Sequence, residues 1–132
     1  MWVSMSYIER VQSKEDSRKR YLMELIDGES VMGAAIIDSS GVPILWHLPP
    51  SLTAKSISAV MAMIEYLMKV KQTTTDLLGQ HLYTVVRFQR FKVAYFDLEG
   101  KGWLIIFVNP IWHVELLLPK VRKVLHQLTK LL

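Results

Sequence analysis

The stretch ISAVMAMIEYLMKV, residues 57–70, contains neither Gly nor Pro, and its apolar side chains recur at helical spacing. With Ile57 at zero and about 100° per residue, Ile57, Val60, Met61, Ile64, Leu67 and Met68 form one stripe. Ala59, Met63, Tyr66 and Val70 form a second, nearly opposite. Ser58, Glu65 and Lys69, with Lys55 just upstream, leave only a narrow polar strip. A helix on the outside of a domain needs one apolar stripe. The first stripe is expected on a sheet; the second calls for another cover.

The 132-residue chain fits one compact domain, residues 1–132, and its 51% apolar composition supports a real core. With no cysteine, a disulfide scaffold, a thiolate zinc site and a cysteine nucleophile are excluded. No apolar run approaches the roughly 18 residues that span a bilayer. The opening MWVSMSYIERVQSKED has no basic segment followed by an unbroken apolar one, so a secretory signal is not expected and a cytoplasmic protein is. Charge is uneven. Residues 1–66 hold 6 Lys/Arg against 8 Asp/Glu, whereas residues 67–132 hold 10 against 4. The basic half would attract an acidic protein, an anionic membrane or nucleic acid, or be an inert surface.

Residues 13–27 read as a helix with Ser13 as N-cap, Asp16 in its first turn, and Tyr21, Leu22, Leu25 and Ile26 as its packing face. Gly28 ends it. Residues 1–12 form an extension in which Ile8 and Val11 either continue the stripe or belong to a loose arm. VMGAAIID (31–38) and VPILWHL (42–48), separated by SSG, predict a hairpin. The first strand is apolar almost throughout and should be central, while Pro43, which lacks an N–H, suggests an edge position or a strand end for the second. Ser51 or Thr53 caps a long helix over 52–71, and residues 72–80 form its exit loop. Strands follow at 81–89, 90–98 and 103–108, with turns at Gln89–Arg90 and at EGKG (99–102). Asn109 and Pro110 offer an N-cap and first-turn proline for a helical stretch over 111–131, where Pro119 predicts a kink or a fresh start. The order predicts an α+β fold: one five-stranded antiparallel sheet, the long central helix on one face and the N- and C-terminal helices on the other.

Chemistry is scarce. Gly28 and Gly33 have P-loop spacing, but Ala34 and Ala35 stand where Lys and Ser/Thr are needed, so no phosphate clamp forms. His47, His81, His113 and His126 do not pair at metal-ligand spacing. Ser39 and Ser40 lie in a turn without a nucleophile elbow. Asp97 and Glu99 read as solvated charges at a strand end. No catalytic residue, metal or cofactor is assigned, and an enzyme is not expected. Arg87, Arg90 and Lys92 interleave with Phe88 and Phe91, a pattern that can stack single-stranded nucleic acid. Strand alternation explains it as well, with Val86 and Phe88 turned to the core. The basic last helix has an apolar face, Val121, Val124, Leu125 and Leu128, which is expected on the sheet and not on a membrane.

The ordered set of elements resembles the Roadblock family, the small domains of dynein light chains and of prokaryotic regulators of Ras-like GTPases. VMGAAIIDSSGVPIL (31–45) is similar to that family's first hairpin, the helix 52–71 to its long central helix, and VRFQRFKVAYFDLEGKGWLIIFVNP (86–110) to its last three strands and closing Asn-Pro. The resemblance covers about residues 31–110. Residues 111–132 add a C-terminal helical segment, similar to prokaryotic members that bind small GTPases. The resemblance implies a profilin-like three-layer sandwich and a non-catalytic scaffold or regulator. It also implies a homodimer built from central helices and third strands, binding a Ras-like GTPase or joining a larger assembly. On this sequence the interface falls on Ala59, Ala62, Met63, Tyr66 and Val70 of the helix and Tyr83, Val85 and Arg87 of the strand. The alternatives are a longin-like trafficking or sensing module and a basic domain for nucleic acid or anionic membrane.

Overall fold

A computed structural model describes the backbone of residues 2–132 and the side chains of residue 10 and of 12–132. The elements run α1 (Trp2–Leu25), β1 (Val31–Asp38), β2 (Pro43–His47), α2 (Ala54–Leu78), β3 (Tyr83–Arg87), β4 (Lys92–Asp97), β5 (Gly102–Val108) and α3 (Val114–Leu131). The five strands form one antiparallel sheet in the order β2-β1-β5-β4-β3. β1 is an interior strand, almost wholly buried as its unbroken apolar run predicts, but the central place falls to β5; β2 with Pro43 is an edge.

Strand alternation divides the core into two layers. Ala34, Ile36, Ala94, Phe96, Leu104 and Ile106 face α1 and α3, where Leu22, Leu25, Val121, Val124 and Leu128 meet them. Ala35, Ile37, Val93, Tyr95, Ile105 and Phe107 face α2, where Val60, Ile64 and Leu67 meet them. The three-layer arrangement expected from the sequence is the one found.

Several helix boundaries differ from the sequence reading. α1 begins at Trp2, so Ser13 is an exposed residue inside a helix and not its cap. Nothing in residues 2–25 breaks a helix, since neither Gly nor Pro occurs there. The side chains of Ile8 and Val11 lie outside the described residues. The helix closes at Leu25, two residues early. Asp27 leaves it to accept the backbone N–H groups of Glu29 (2.8 Å), Ser30 (2.7 Å) and Val31 (3.0 Å).

α2 does not stop at residue 71 but runs on to Leu78 through the threonines of the expected exit loop. Their hydroxyls bond back within the helix: Thr73 and Thr74 to the Val70 carbonyl (3.0 and 2.7 Å), Thr75 to that of Lys71 (2.6 Å). Each β-branched polar side chain is thereby satisfied without leaving the helix. Gly79, at φ 87°, ends it. At the other end Thr53 stands in extended conformation and donates its N–H to the Ser56 hydroxyl (3.3 Å).

Asn109–Pro110 does not open α3. The Asn109 side chain accepts the Ile111 N–H (3.2 Å) and its carbonyl that of Trp112 (3.0 Å), a turn that delays the helix to Val114. Pro119 lies inside one continuous helix, with no fresh start. Val114 and Leu117 before it and Val121, Val124 and Leu128 after it are all buried, which holds both halves to the same sheet face.

α1 and α3 run antiparallel. Arg18 bonds the Leu131 carbonyl (3.1 and 2.5 Å), Tyr21 meets Gln127 (3.5 Å), and Lys120 pairs with Asp27 (3.2 Å). Gly33 in β1 has a steric reason: an added Cβ would stand 2.5 Å from Pro49 Cδ and 2.8 Å from the His47 carbonyl. The chain leaving β2 crosses directly over it.

Candidate interaction surface

The second stripe of α2 is where the sequence reading left it, on the side turned from the core. Ala59 and Ala62 are exposed, Tyr66 is 63% exposed, and Val70 is half-buried. Met63 is half-buried and packs against the α2-side core. Met68, assigned by its angle to the sheet side, is 42% exposed instead. Between α2 and the sheet, Ala59, Ala62, Met63, Tyr66, Phe88 and Tyr95 line an apolar groove of roughly 320 Å³. Burial pushes the Tyr95 hydroxyl up to about 12, so it stays protonated.

Phe88 of that groove directly follows β3, which among the described residues pairs only with β4. Its outer backbone groups form an unpaired sheet edge. The register of β3 on β4 places Tyr83 opposite Phe96 and Val85 opposite Ala94, both in the layer facing α3. Tyr83, Val85 and Arg87 therefore point away from α2. The eight proposed interface residues form two sets: five side chains on α2, and three on the opposite sheet face that share only their strand's backbone edge. Tyr83 is half-buried, stacked on Phe96 at 5.4 Å, whereas Val85 and Arg87 are exposed.

Phe88, read from the sequence as a core residue, is 51% exposed. It stands just past the end of β3 in the tight connection closed by its N–H and the Phe91 carbonyl (2.8 Å). There it forms one end of the groove. Alternation gave its face correctly, but the strand stops at Arg87, before α2 can cover it.

Asp97 is also corrected. Its side chain is 2% exposed and forms an ion pair with Lys71, whose ammonium lies 5.2 Å from the Trp103 ring centroid. The second carboxylate oxygen accepts the Gly100 N–H (2.9 Å). Lys71 belongs to the last third of α2, so this pair fixes the far end of the helix to the sheet. Beside it His81 bonds Thr84 (2.6 Å) and lies 5.9 Å from Trp103. Burial is the main influence and pushes the imidazole below its usual range; the Asp97 carboxylate opposes that shift and Lys71 adds to it.

On the other face, Tyr83, Phe96, Leu118 and Leu125 floor a pocket of roughly 310 Å³ with Arg122, His126 and Glu99 at its wall. Among the described residues, no three His, Cys, Asp or Glu side chains gather to hold a metal ion. Nor, among the described residues, is any helix long and apolar enough to cross a membrane.

One long helix over one face, two antiparallel helices over the other and an uncovered third strand define a Roadblock/LC7-type fold. The gliding protein MglB from Thermus thermophilus is similar, with a TM-score of 0.74 at 11% identity over 89% of this chain and 90% of that one. So is MglB from Myxococcus xanthus, at 0.72 and 11% over 88% and 87%. A Roadblock/LC7 domain from Streptomyces avermitilis superposes at 0.65 and 12% over 81% and 90%. No protein-family model matches the sequence, and no curated protein matches it significantly. The likeness is one of fold.

Proposed function

We propose that the protein is a non-catalytic homodimeric scaffold of the cytoplasm, whose paired α2 surface receives a Ras-like GTPase or joins a larger assembly. The observation that carries the reading is the exposed stripe of α2, with Tyr66 63% exposed, lying beside the unpaired edge of β3. A second copy related by a two-fold axis covers both at once. The two edges pair antiparallel, and the two α2 helices lie side by side over the joined sheet. Exposed Ala59 and Ala62 let the helices approach closely. The GTPase partner rests on the family resemblance of the sequence.

The dimer is tested with Met63→Asp together with Tyr66→Asp. Covering a side chain of this size contributes roughly 1.5–3 kcal/mol, so charges at both positions should give a monomer or an aggregate by light scattering. An unchanged dimer places the interface elsewhere. The partner is tested by capture from the native organism with GDP- and GTP-loaded controls. Recovery of a small GTPase supports the reading, and recovery of only nucleic acid or lipid refutes it.

A further inference from the structure

The turn between β4 and β5 carries a residue that its backbone does not favour. Glu99 and Gly100 are its two central residues, closed by the Lys101 N–H on the Leu98 carbonyl (3.1 Å), and both have positive φ, 56° and 79°. Such turns prefer Asn, Asp or Gly at the first central position. Among the described residues, Glu99 is the only non-glycine with positive φ. The turn is firmly held all the same. The Gly100 N–H bonds the buried Asp97 carboxylate (2.9 Å), and Lys101 bonds the Thr129 carbonyl on α3 (3.3 Å). This turn and α3 bound the pocket of roughly 310 Å³ floored by Tyr83, Phe96, Leu118 and Leu125. The turn contributes Glu99 to its wall, and α3 contributes Arg122 and His126, one helical turn apart on the same face. None of these three side chains makes a hydrogen bond or ion pair among the described residues.

We propose that this pocket binds a free aromatic amino acid. Its volume lies at the small end of ligand sites, which run from about 300 to 1,000 Å³, so the ligand is a single small molecule. The floor suits a flat ring: half-buried Tyr83 is stacked on buried Phe96 with centroids 5.4 Å apart, between two leucines of α3. The Arg122 guanidinium takes the α-carboxylate through two parallel N–H···O bonds, and a His126 ring N–H donates to the same group. Glu99 accepts the α-ammonium. A simple aromatic acid would set its carboxylate against Glu99, and a simple amine would set its ammonium against Arg122. A ligand with both charges side by side satisfies both walls. A residue inside a peptide chain carries neither charge, which selects the free amino acid. The unfavourable backbone position of Glu99 is then explained by what its carboxylate holds. The pocket lies on the sheet face opposite α2, so it does not depend on the homodimer proposed above.

The probes are L-phenylalanine, L-tyrosine and L-tryptophan, titrated into the full chain by calorimetry. At least one of them should bind saturably at one site per chain. Its deaminated acid, its decarboxylated amine and L-leucine should each bind about 10-fold or more weakly, because each lacks one of the three recognised groups. Arg122→Gln and Glu99→Asn should each weaken the bound amino acid by about 10-fold or more. Glu99→Asn should melt no lower than wild type, since the turn gains a residue it prefers, so its loss of binding is not a loss of fold. Arg122 is exposed, and its variant should melt as wild type does. No saturable binding of any of the three up to about 10 mM overturns the proposal. So does equal affinity for the deaminated acid, or unchanged affinity in either variant.

Discussion

The Lys71–Asp97 pair decides where the second half of α2 lies, and its strength can be worked out from its surroundings. Asp97 is 2% exposed and Lys71 25%, so one charge is buried and the other keeps some water. Removing one partner of a buried pair costs about 3–5 kcal/mol. The water left to Lys71 places Asp97→Ala near the lower end, about 3 kcal/mol, including the lost bond from Gly100. Asp97→Asn keeps an acceptor for Gly100 and should cost less, about 2 kcal/mol. Lys71→Met strands a buried carboxylate and removes a cation from the face of Trp103, again about 3 kcal/mol. The double variant, Lys71→Met with Asp97→Asn, leaves no unpaired charge. It should be more stable than the sum of its singles by about 2 kcal/mol. Urea unfolding of the four proteins at one fixed concentration measures this coupling. Losses that add to within about 0.5 kcal/mol would mean that the two side chains do not depend on each other, and the account of how α2 is held would fail.

Two further outcomes follow from single positions. Gly33→Ala drives a methyl group against Pro49 and the His47 carbonyl, so it should destabilise by about 1–3 kcal/mol by thermal or urea unfolding, where an open site would gain from the same change. The Asp27 carboxyl titrates well below its ordinary value of 3.8: burial alone would raise it, but the Ser30 hydroxyl, the Glu29 and Ser30 N–H groups and Lys120 outweigh that. A depressed carboxylate stabilises fully above its unfolded value. The advantage of wild type over Asp27→Asn should therefore hold from neutral pH to about pH 4 and shrink as pH falls below 3.8 toward the lower folded value. About 1 kcal/mol is expected, as for a helix cap, because the exposed side chain screens the Lys120 pair; an advantage that grows in acid would reverse the argument.

Much of this architecture is legible in side-chain order. The run VMGAAIID can only be a strand covered on both sides, and Pro43 keeps its neighbour at an edge. The double stripe of residues 57–70 already separates a sheet side from a partner side. The misread elements share a cause. Ser13, Asn109 and Thr73–Thr75 each carry a short polar side chain that can cap, turn or bond back within a helix. Which of these happens depends on neighbours several turns away. Asp97 and Phe88 were misread for the complementary reason: a charge near a turn reads as solvated until a helix lays a lysine on it, and a strand phenylalanine reads as core until the strand stops short.

The sequence by itself determined the class of the fold, the two layers of the core and the existence of a surface on α2 that its own domain does not cover. Local periodicity suffices for that, because it depends only on which face each side chain takes. Tertiary structure alone decided how far α2 runs, that Asp97 anchors it, and that Tyr83, Val85 and Arg87 face away from the α2 stripe. It also decided that an apolar recess opens between the start of that helix and the turn after β3, and that Leu77 is exposed at the helix's far end. These are relations between residues brought together across the sheet, and no local pattern encodes the distance between them.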